Sequence, residues 1–554
     1  MKKINYEILL KAIGAVFLIL FVLLPSFYLL GFMVVKWNDV YREVFAHPLI
    51  GSKFWHEILR YLALSFRLAI FTVLIDLLIG VPLAYVLVKS DIPGRGLLED
   101  LTTLPLVVPT SGFGFATMLT WTTSYGLTAL VGKPIGINSI IPLIKVPALM
   151  LIVHVSLTFP YVVRTVSGAL RDVESSYEII SRSLGASSLT TFRRVTLPMI
   201  MPSVFSGSVL AFARSLGETG ATMIVAGVST TAPIAIVKWE FENKLAPAAF
   251  LGALLIGISL AIIVPVERLS KSTMIRHLAP TSLEIKLAQF ERKIPKFTRY
   301  IRDVLVILLL MLIVMAPVGM LLYSVVRYWS RDPYTGRIES SVKYQLFGPS
   351  RYWDSIIYSI RTSFIASTLA TLISMYIAIV TLPLITRSRI GHIIRTLLKI
   401  PLVIPTSALG LAMILLWGPK GFNLISPGIW LIVFTHVVFS VPVIVETTVA
   451  SYYESMLDVY EDTARSLGAS LYDVYETITL PMTRRGLLAG TLLAFTHSLG
   501  ETGATFIVMG SDMTLSTLIV NMVEALALPA AMFASLLIIS ISLVLLWIIR
   551  TLSH

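Results

Sequence analysis

Arg214 and Glu218 stand four residues apart in an otherwise apolar stretch, and His497 and Glu501 repeat that spacing 283 residues later. Four residues is about one helical turn, so each pair can meet on a single helix face. An ionisable group at bilayer depth costs roughly 2.5–3.5 kcal/mol on insertion scales. Such pairs therefore either gate or line a path, or form a buried ion pair that locks helix packing. Gly217, Gly220, Gly500 and Gly503 flank the two acids and admit close helix approach or a break. A carboxylate facing an anion repels it, which makes Glu218 and Glu501 poor direct ligands for one. Arg214, hydroxyls and helix N-termini suit an anion better. A second duplicated set is Pro105, Pro109, Thr110 and Ser111, matched by Pro401, Pro405, Thr406 and Ser407. Two prolines four apart free backbone carbonyls and kink a helix, and lining of a path is expected there. His154 and His436 read as hydrogen-bonded packing residues rather than ligands. Asp76, Glu446 and Arg67 are expected to face the interior, with no role assigned.

The elements that position these residues follow from composition. Of 554 residues, 56% are hydrophobic and 14% charged, against about 25% charged in a soluble domain. Mean hydropathy is +0.85. Disorder and a set of soluble domains are both excluded. Twelve apolar segments are long enough to span a bilayer: 9–35, 61–88, 101–121, 146–168, 199–228, 245–266, 301–326, 355–384, 396–417, 428–450, 482–510 and 527–549. The first follows Lys2, Lys3 and Lys11 but is too long for a signal peptide and lacks a cleavage site, so it reads as an uncleaved span. With the N-terminus inside, the inner segments carry 27 Lys and Arg and the outer loops 14; Arg67, Arg214 and Arg361 lie within spans. This bias places both termini in the cytoplasm. The net charge of +13 is thereby mostly topology, and a nucleic-acid partner is not expected. The largest basic cluster, Arg268 to Arg302, is expected to lie against anionic lipid headgroups.

The chain repeats itself. Ser183-Leu-Gly-Ala-Ser187, Thr196-Leu-Pro-Met199 and Ser215-Leu-Gly-Glu-Thr-Gly-Ala-Thr222 all recur at an offset of 283, whereas Pro105-Leu-Val-Val-Pro-Thr-Ser111 recurs at 296. The 13-residue difference fits the longer outer loop around Trp121–Lys145, where insertions belong. The expected architecture is an all-α membrane protein of two parallel six-helix repeats, 1–270 and 300–554, joined by a basic cytoplasmic linker, 271–299. An even span count keeps the copies parallel and leaves a solute path between them.

Each half also carries an interrupted cytoplasmic loop between its fourth and fifth spans. In the second half a helical stretch with Glu461, Asp462 and Arg465 ends at Gly468, suited to a left-handed cap. Ser470 can cap a short second helix with Asp473 three residues on, and Leu480-Pro481 opens the next span. The first half repeats this with Glu178, Arg182, Gly185, Ser187 and Leu197-Pro198, holding 13 residues between glycine and proline. The surface is mixed in charge with an apolar stripe of Leu184, Leu189, Leu467 and Leu471. A paired docking element for a cytoplasmic partner is the expectation.

These loops resemble the "EAA" loop of bacterial and archaeal ABC importer permeases, Glu-Ala-Ala, three residues, Gly, nine residues, Ile-x-Leu-Pro. The second half supplies Asp462-Thr-Ala464, Gly468 and Ile478-Thr-Leu-Pro481; the first supplies Ile179-Ile-Ser181, Gly185 and Val195-Thr-Leu-Pro198. The Glu-Ala-Ala triplet is degraded, with Glu178 one position away from the acidic place in the first half. The resemblance covers nearly the whole chain. It implies a type I importer permease fold, two copies of an ATP-binding subunit seated on the loops, and an extracytoplasmic solute-binding protein. The Leu-Pro-Leu-Val-Val-Pro-Thr and Arg-Ser-Leu-Gly-Glu-Thr-Gly-Ala-Thr runs resemble permeases for molybdate, tungstate or sulfate; iron(III), thiamine and polyamine permeases are the alternative. An ion-coupled secondary transporter using Glu218 and Glu501 is the competing class. No Gly-x4-Gly-Lys-Ser/Thr loop occurs, since Gly132-Lys-Pro134 lacks the spacing and the hydroxyl. ATP and Mg are therefore expected in the partner subunits, with no cofactor on this chain. Neither His-Glu-x-x-His nor Gly-x-Ser-x-Gly is present, and there is no cysteine.

Overall fold

The computed structural model describes residues 13–90, 92–128, 132–270, 282–293 and 297–553. Nine helices among them are long and apolar enough to cross a membrane: Ile13–Val35, Lys53–Lys89, Ala148–Asp172, Ser188–Gly217, Leu245–Ile262, Tyr300–Arg327, Tyr352–Arg387, Ile429–Glu454 and Leu528–Ile548. A tenth is the pair Ile393–Leu402 and Thr406–Leu416, bent by 107°. The basic residues Lys2, Lys3 and Lys11 lie outside the described residues, as do 271–281 and 294–296 of the expected linker; the rest of the linker contains the helix Ser282–Lys293.

Four expected spans are not single helices. The segment at 101–121 is two helices, Arg95–Val107 and Thr110–Thr122, and that at 396–417 is the bent pair. The breaks fall at the inner prolines, where the chain leaves the helical region: Val108, the residue before Pro109, has ψ of 134°, and Pro109 and Pro405 themselves each have ψ of 131°. Thirteen residues make a helix of about 20 Å, short of a bilayer's ~30 Å core. The fifth segments also break. Leu197–Gly217 stops before Glu218 and restarts as Gly220–Val225; Leu480–Gly500 stops before Glu501 and restarts as Gly503–Val508. Leu480–Gly500 is outside the nine because Arg484, Arg485 and several hydroxyls dilute its apolarity.

Each half lends its first helix to the other. Phe21 stacks on Trp417 and Phe434 at 5.1 and 4.5 Å, and the Tyr28 hydroxyl donates to the Leu415 carbonyl at 3.2 Å. In return Arg302 lies 5.0 Å over the Tyr85 ring, and the Ser324 hydroxyl donates to Tyr125 at 3.3 Å. The extra loop residues of the first half form a small hairpin, Ile140–Ile141 against Val146–Pro147. The core is continuous through both halves and runs from Leu18 to Ile539.

Candidate functional site

The two broken fifth segments meet back to back at the centre of the molecule, each against the broken third segment of the other half. A Cβ on Gly217 would lie 3.0 Å from the Pro405 Cα, and one on Gly500 would lie 2.9 Å from the Pro109 Cα. A Cβ on Gly220 would meet the Thr502 Cβ at 2.6 Å and the Thr110 Oγ1 at 3.1 Å; one on Gly503 would meet the Thr219 Cβ and Thr406 Oγ1, both at 2.8 Å. These glycines are where backbone meets backbone. The expected path residues Pro109, Thr110, Pro405 and Thr406 therefore sit at a closed, two-fold-like seam. Ser111 and Ser407 are buried beside it, and neither hydroxyl has a hydrogen-bond partner.

The acids close the broken helices. Glu218 accepts from the Ala221 amide at 3.0 Å and Glu501 from the Ala504 amide at 3.1 Å, which satisfies an N-terminal donor of each short helix. Those helix starts, expected as anion donors, are thus already occupied by carboxylates. The second oxygen of each acid faces its partner: Arg214 Nη2 to Glu218 Oε2 is 2.6 Å, and His497 Nε2 to Glu501 Oε2 is 3.6 Å. The acids are 3% and 6% exposed, their partners 25% and 37%. Each site thus turns its nitrogen groups outward and its carboxylate inward. Arg214, His497, Glu501, Tyr161 and Pro109 line a cavity of about 40 Å³, room for roughly three waters at 10–15 Å³ each.

Each break is pinned by a histidine, as the packing expectation required. His154 Nδ1 lies 2.8 Å from Ser215 Oγ and its Nε2 2.9 Å from Thr222 Oγ1; His436 makes the same pair to Ser498 (2.6 Å) and Thr505 (2.9 Å). The hydroxyls lie on either side of the acid, so one imidazole spans the interruption. Of the unassigned groups, Asp76 is buried and accepts from Thr158 at 2.6 Å, and Glu446 accepts from Arg395 Nε and Nη2 at 3.0 and 2.8 Å. Arg67 is half-buried and donates to its own helix at Ala63.

The two loops expected to be cytoplasmic share one geometry. The helices Ser175–Ser183 and Leu457–Ser466 end before Gly185 (φ +86°) and Gly468 (φ +94°). Short helices Ser188–Thr191 and Leu471–Val474 follow, then π-helical turns at 192–196 and 475–479 that feed Leu197-Pro198 and Leu480-Pro481. Ser470 and Asp473 form the expected capping box. Arg182, Asp462 and Arg465 are exposed, and Leu184 and Leu467 are 83% and 84% exposed.

Glu178 and Glu461 behave otherwise. At the 283 offset they are counterparts, so Glu178 is not a shifted Asp462. Both carboxylates are buried and turn toward the membrane body. Glu178 accepts from Thr196 Oγ1 at 2.8 Å with Lys89 at 3.6 Å. Glu461 accepts from Thr479, from the Tyr452 hydroxyl at 3.0 Å, and from Arg387 Nε at 2.7 Å. Each acid therefore ties the loop to the end of the second helix and the start of the fifth. Removing one side of a buried pair leaves an uncompensated charge, a loss of about 3–5 kcal/mol. Arg387→Met is thus expected to lower the thermal unfolding midpoint clearly, whereas Asp462→Asn, at a side chain 75% exposed, is not. Equal midpoints would show that the strut carries no stability.

A family profile for the inner membrane component of binding-protein-dependent transport systems matches residues 70–273 and again 370–554. The chain belongs to this family. The permease is 30% identical over 261 residues to the molybdate/tungstate transport system permease protein of Pyrococcus abyssi, a match covering 47% of this chain and 94% of that one. It is 36% identical over 209 residues to the molybdenum transport system permease protein of Mycobacterium bovis (37% and 76%). It is 32% identical over 215 residues to a probable sulfate transport system permease protein of Nephroselmis olivacea (38% and 74%). Each relative thus corresponds to about half of this multi-pass membrane protein, as two repeats of one permease unit require. Sequence reading missed the crossing of the halves at the seam, because spacing along one helix does not say which other chain segment covers it.

Proposed function

We propose that this chain is the membrane subunit of an ATP-driven importer for a tetrahedral oxyanion of the molybdate, tungstate or sulfate type. The observation that carries the substrate class is the arrangement at the seam, where Arg214 and His497 line the cavity, Glu218 is withdrawn as a helix cap, and Glu501, the one carboxylate in the lining, is engaged by His497 and the Ala504 amide. A path that opens there presents donors and positive charge to an anion. The relatives, named as permeases for molybdate/tungstate, molybdenum or sulfate, agree with this class. Two ATP-binding subunits dock on the loops around Gly185 and Gly468, whose exposed Leu184, Leu189, Leu467 and Leu471 form apolar patches on otherwise polar surfaces. ATP and Mg act in those subunits. A binding protein delivers solute from outside, and both termini face the cytoplasm at the cell membrane.

Competition in reconstituted vesicles containing all three components tests the substrate. Molybdate, tungstate or sulfate is expected to reduce uptake of a labelled member of the set, and thiamine, spermidine and iron(III) are not. Uptake of any of the latter three in place of the oxyanions would contradict the assignment.

A further inference from the structure

The first cytoplasmic loop lacks a residue that the second one has. In the second loop the Asp473 carboxylate accepts from the Ser470 amide at 3.2 Å and from its hydroxyl at 2.6 Å, while Ser470 Oγ accepts from the Asp473 amide. At the 283 offset, Thr190 stands where Asp473 stands. Ser187 still caps the Thr190 amide at 3.1 Å, and the two hydroxyls lie 2.8 Å apart, but no carboxylate belongs to this loop's own short helix. One arrives from the linker. Glu291, on the helix Ser282–Lys293, accepts from Thr190 Oγ1 at 2.5 Å and from Arg193 Nε at 2.9 Å. It is 5% exposed, on a helix whose neighbouring residues are mostly exposed. Burial works to raise its carboxyl, but the bonds from Thr190 and Arg193 and the guanidinium charge outweigh it and hold it below the ordinary glutamate range.

We infer that Glu291 is a positioning residue of the first coupling loop, supplying from the linker the carboxylate that the second loop carries in Asp473. The pairing is specific to one loop. Where the first has Thr190 and Arg193, the second has Asp473 and Glu476, and a linker carboxylate would be repelled there. The linker is thereby more than a tether. It braces one of two otherwise equivalent loops, so the two ATP-binding subunits meet surfaces that are ordered in different ways. The consequence for docking rests on the coupling-loop reading above; the brace itself does not.

Hydrogen exchange on the full-length permease separates the two. Glu291→Ala is expected to speed amide exchange over 187–196 at least tenfold and leave 470–479 unchanged. Thr190→Asp added to Glu291→Ala is expected to restore slow exchange by giving the loop its own acid. Thr190→Asp alone sets two carboxylates together and is expected to speed exchange as Glu291→Ala does. With ATPase subunits present, Glu291→Ala is expected to weaken docking and ATP-driven uptake, and the double variant to recover both. Unchanged exchange at 187–196 in Glu291→Ala, or no recovery in the double variant, would overturn the inference. Failure of the docking reading looks different: the wild-type chain then binds no ATPase, while the exchange pattern still reports the brace.

Discussion

Replacing Gly220 and Gly503 together by alanine is expected to reduce ATP-driven uptake at least about tenfold while the helices remain folded. Neither glycine has a positive φ, so the penalty is steric and not conformational. The added carbons would stand 2.6 Å from the Thr502 Cβ and 2.8 Å from the Thr219 Cβ. Those atoms are fixed to backbone and cannot rotate away, so the two loops must separate. Overpacking of this kind costs about 1–3 kcal/mol per site, and 1.4 kcal/mol is a factor of ten in an equilibrium. The closed seam is the state penalised, so slow leakage of solute without ATP is expected to accompany the loss. Gly31→Ala and Gly319→Ala provide the control: both lie in membrane helices with nothing within 4 Å of the added carbon, and uptake is expected to be unchanged. Wild-type uptake and no leak in the double variant would show that the seam is not the barrier.

The second large effect is expected at the loop glycines. Gly185 and Gly468 have φ of +86° and +94°, and proline is fixed near −65°. Proline also removes the amides that donate to the Arg182 and Arg465 carbonyls at 2.9 and 3.0 Å. The turn between the two loop helices cannot form. With either substitution ATP-driven uptake is expected to fall to background, while helix content and membrane insertion stay as in wild type. Since the glycines lie outside the spans, the loss is one of coupling and not of folding. Surviving uptake and ATPase assembly in both Gly185→Pro and Gly468→Pro would remove the docking role.

What was legible in the sequence was whatever acts locally. The capping box of Ser470 and Asp473, the glycine turns and the Leu-Pro helix starts depend on neighbours within four residues, and all stand where the spacing places them. The duplication was legible because identical strings recur at one offset. The breaks in the third and fifth segments were only half visible. Proline and glycine mark a weak point, but apolar length argues for a continuous span. It is Glu218 and Glu501, satisfied by the amides of Ala221 and Ala504, that let the chain leave the helix. The inward turn of Glu178 and Glu461 was hidden for another reason. Their partners Lys89 and Arg387 are 89 and 74 residues away, and no periodicity links them. Glu291 binding Thr190, 101 residues apart, is of the same kind.

The central claim is that solute crosses at the seam under ATP control delivered through the two loops. Vesicles holding the permease, with and without its ATP-binding subunits and binding protein, test it most directly by oxyanion uptake under either internal ATP or an imposed proton gradient. Uptake is expected only with ATP and all components present, and none from the gradient alone. Gradient-driven uptake by the permease without the ATP-binding subunits would contradict the account and assign Glu218 and Glu501 to ion coupling instead.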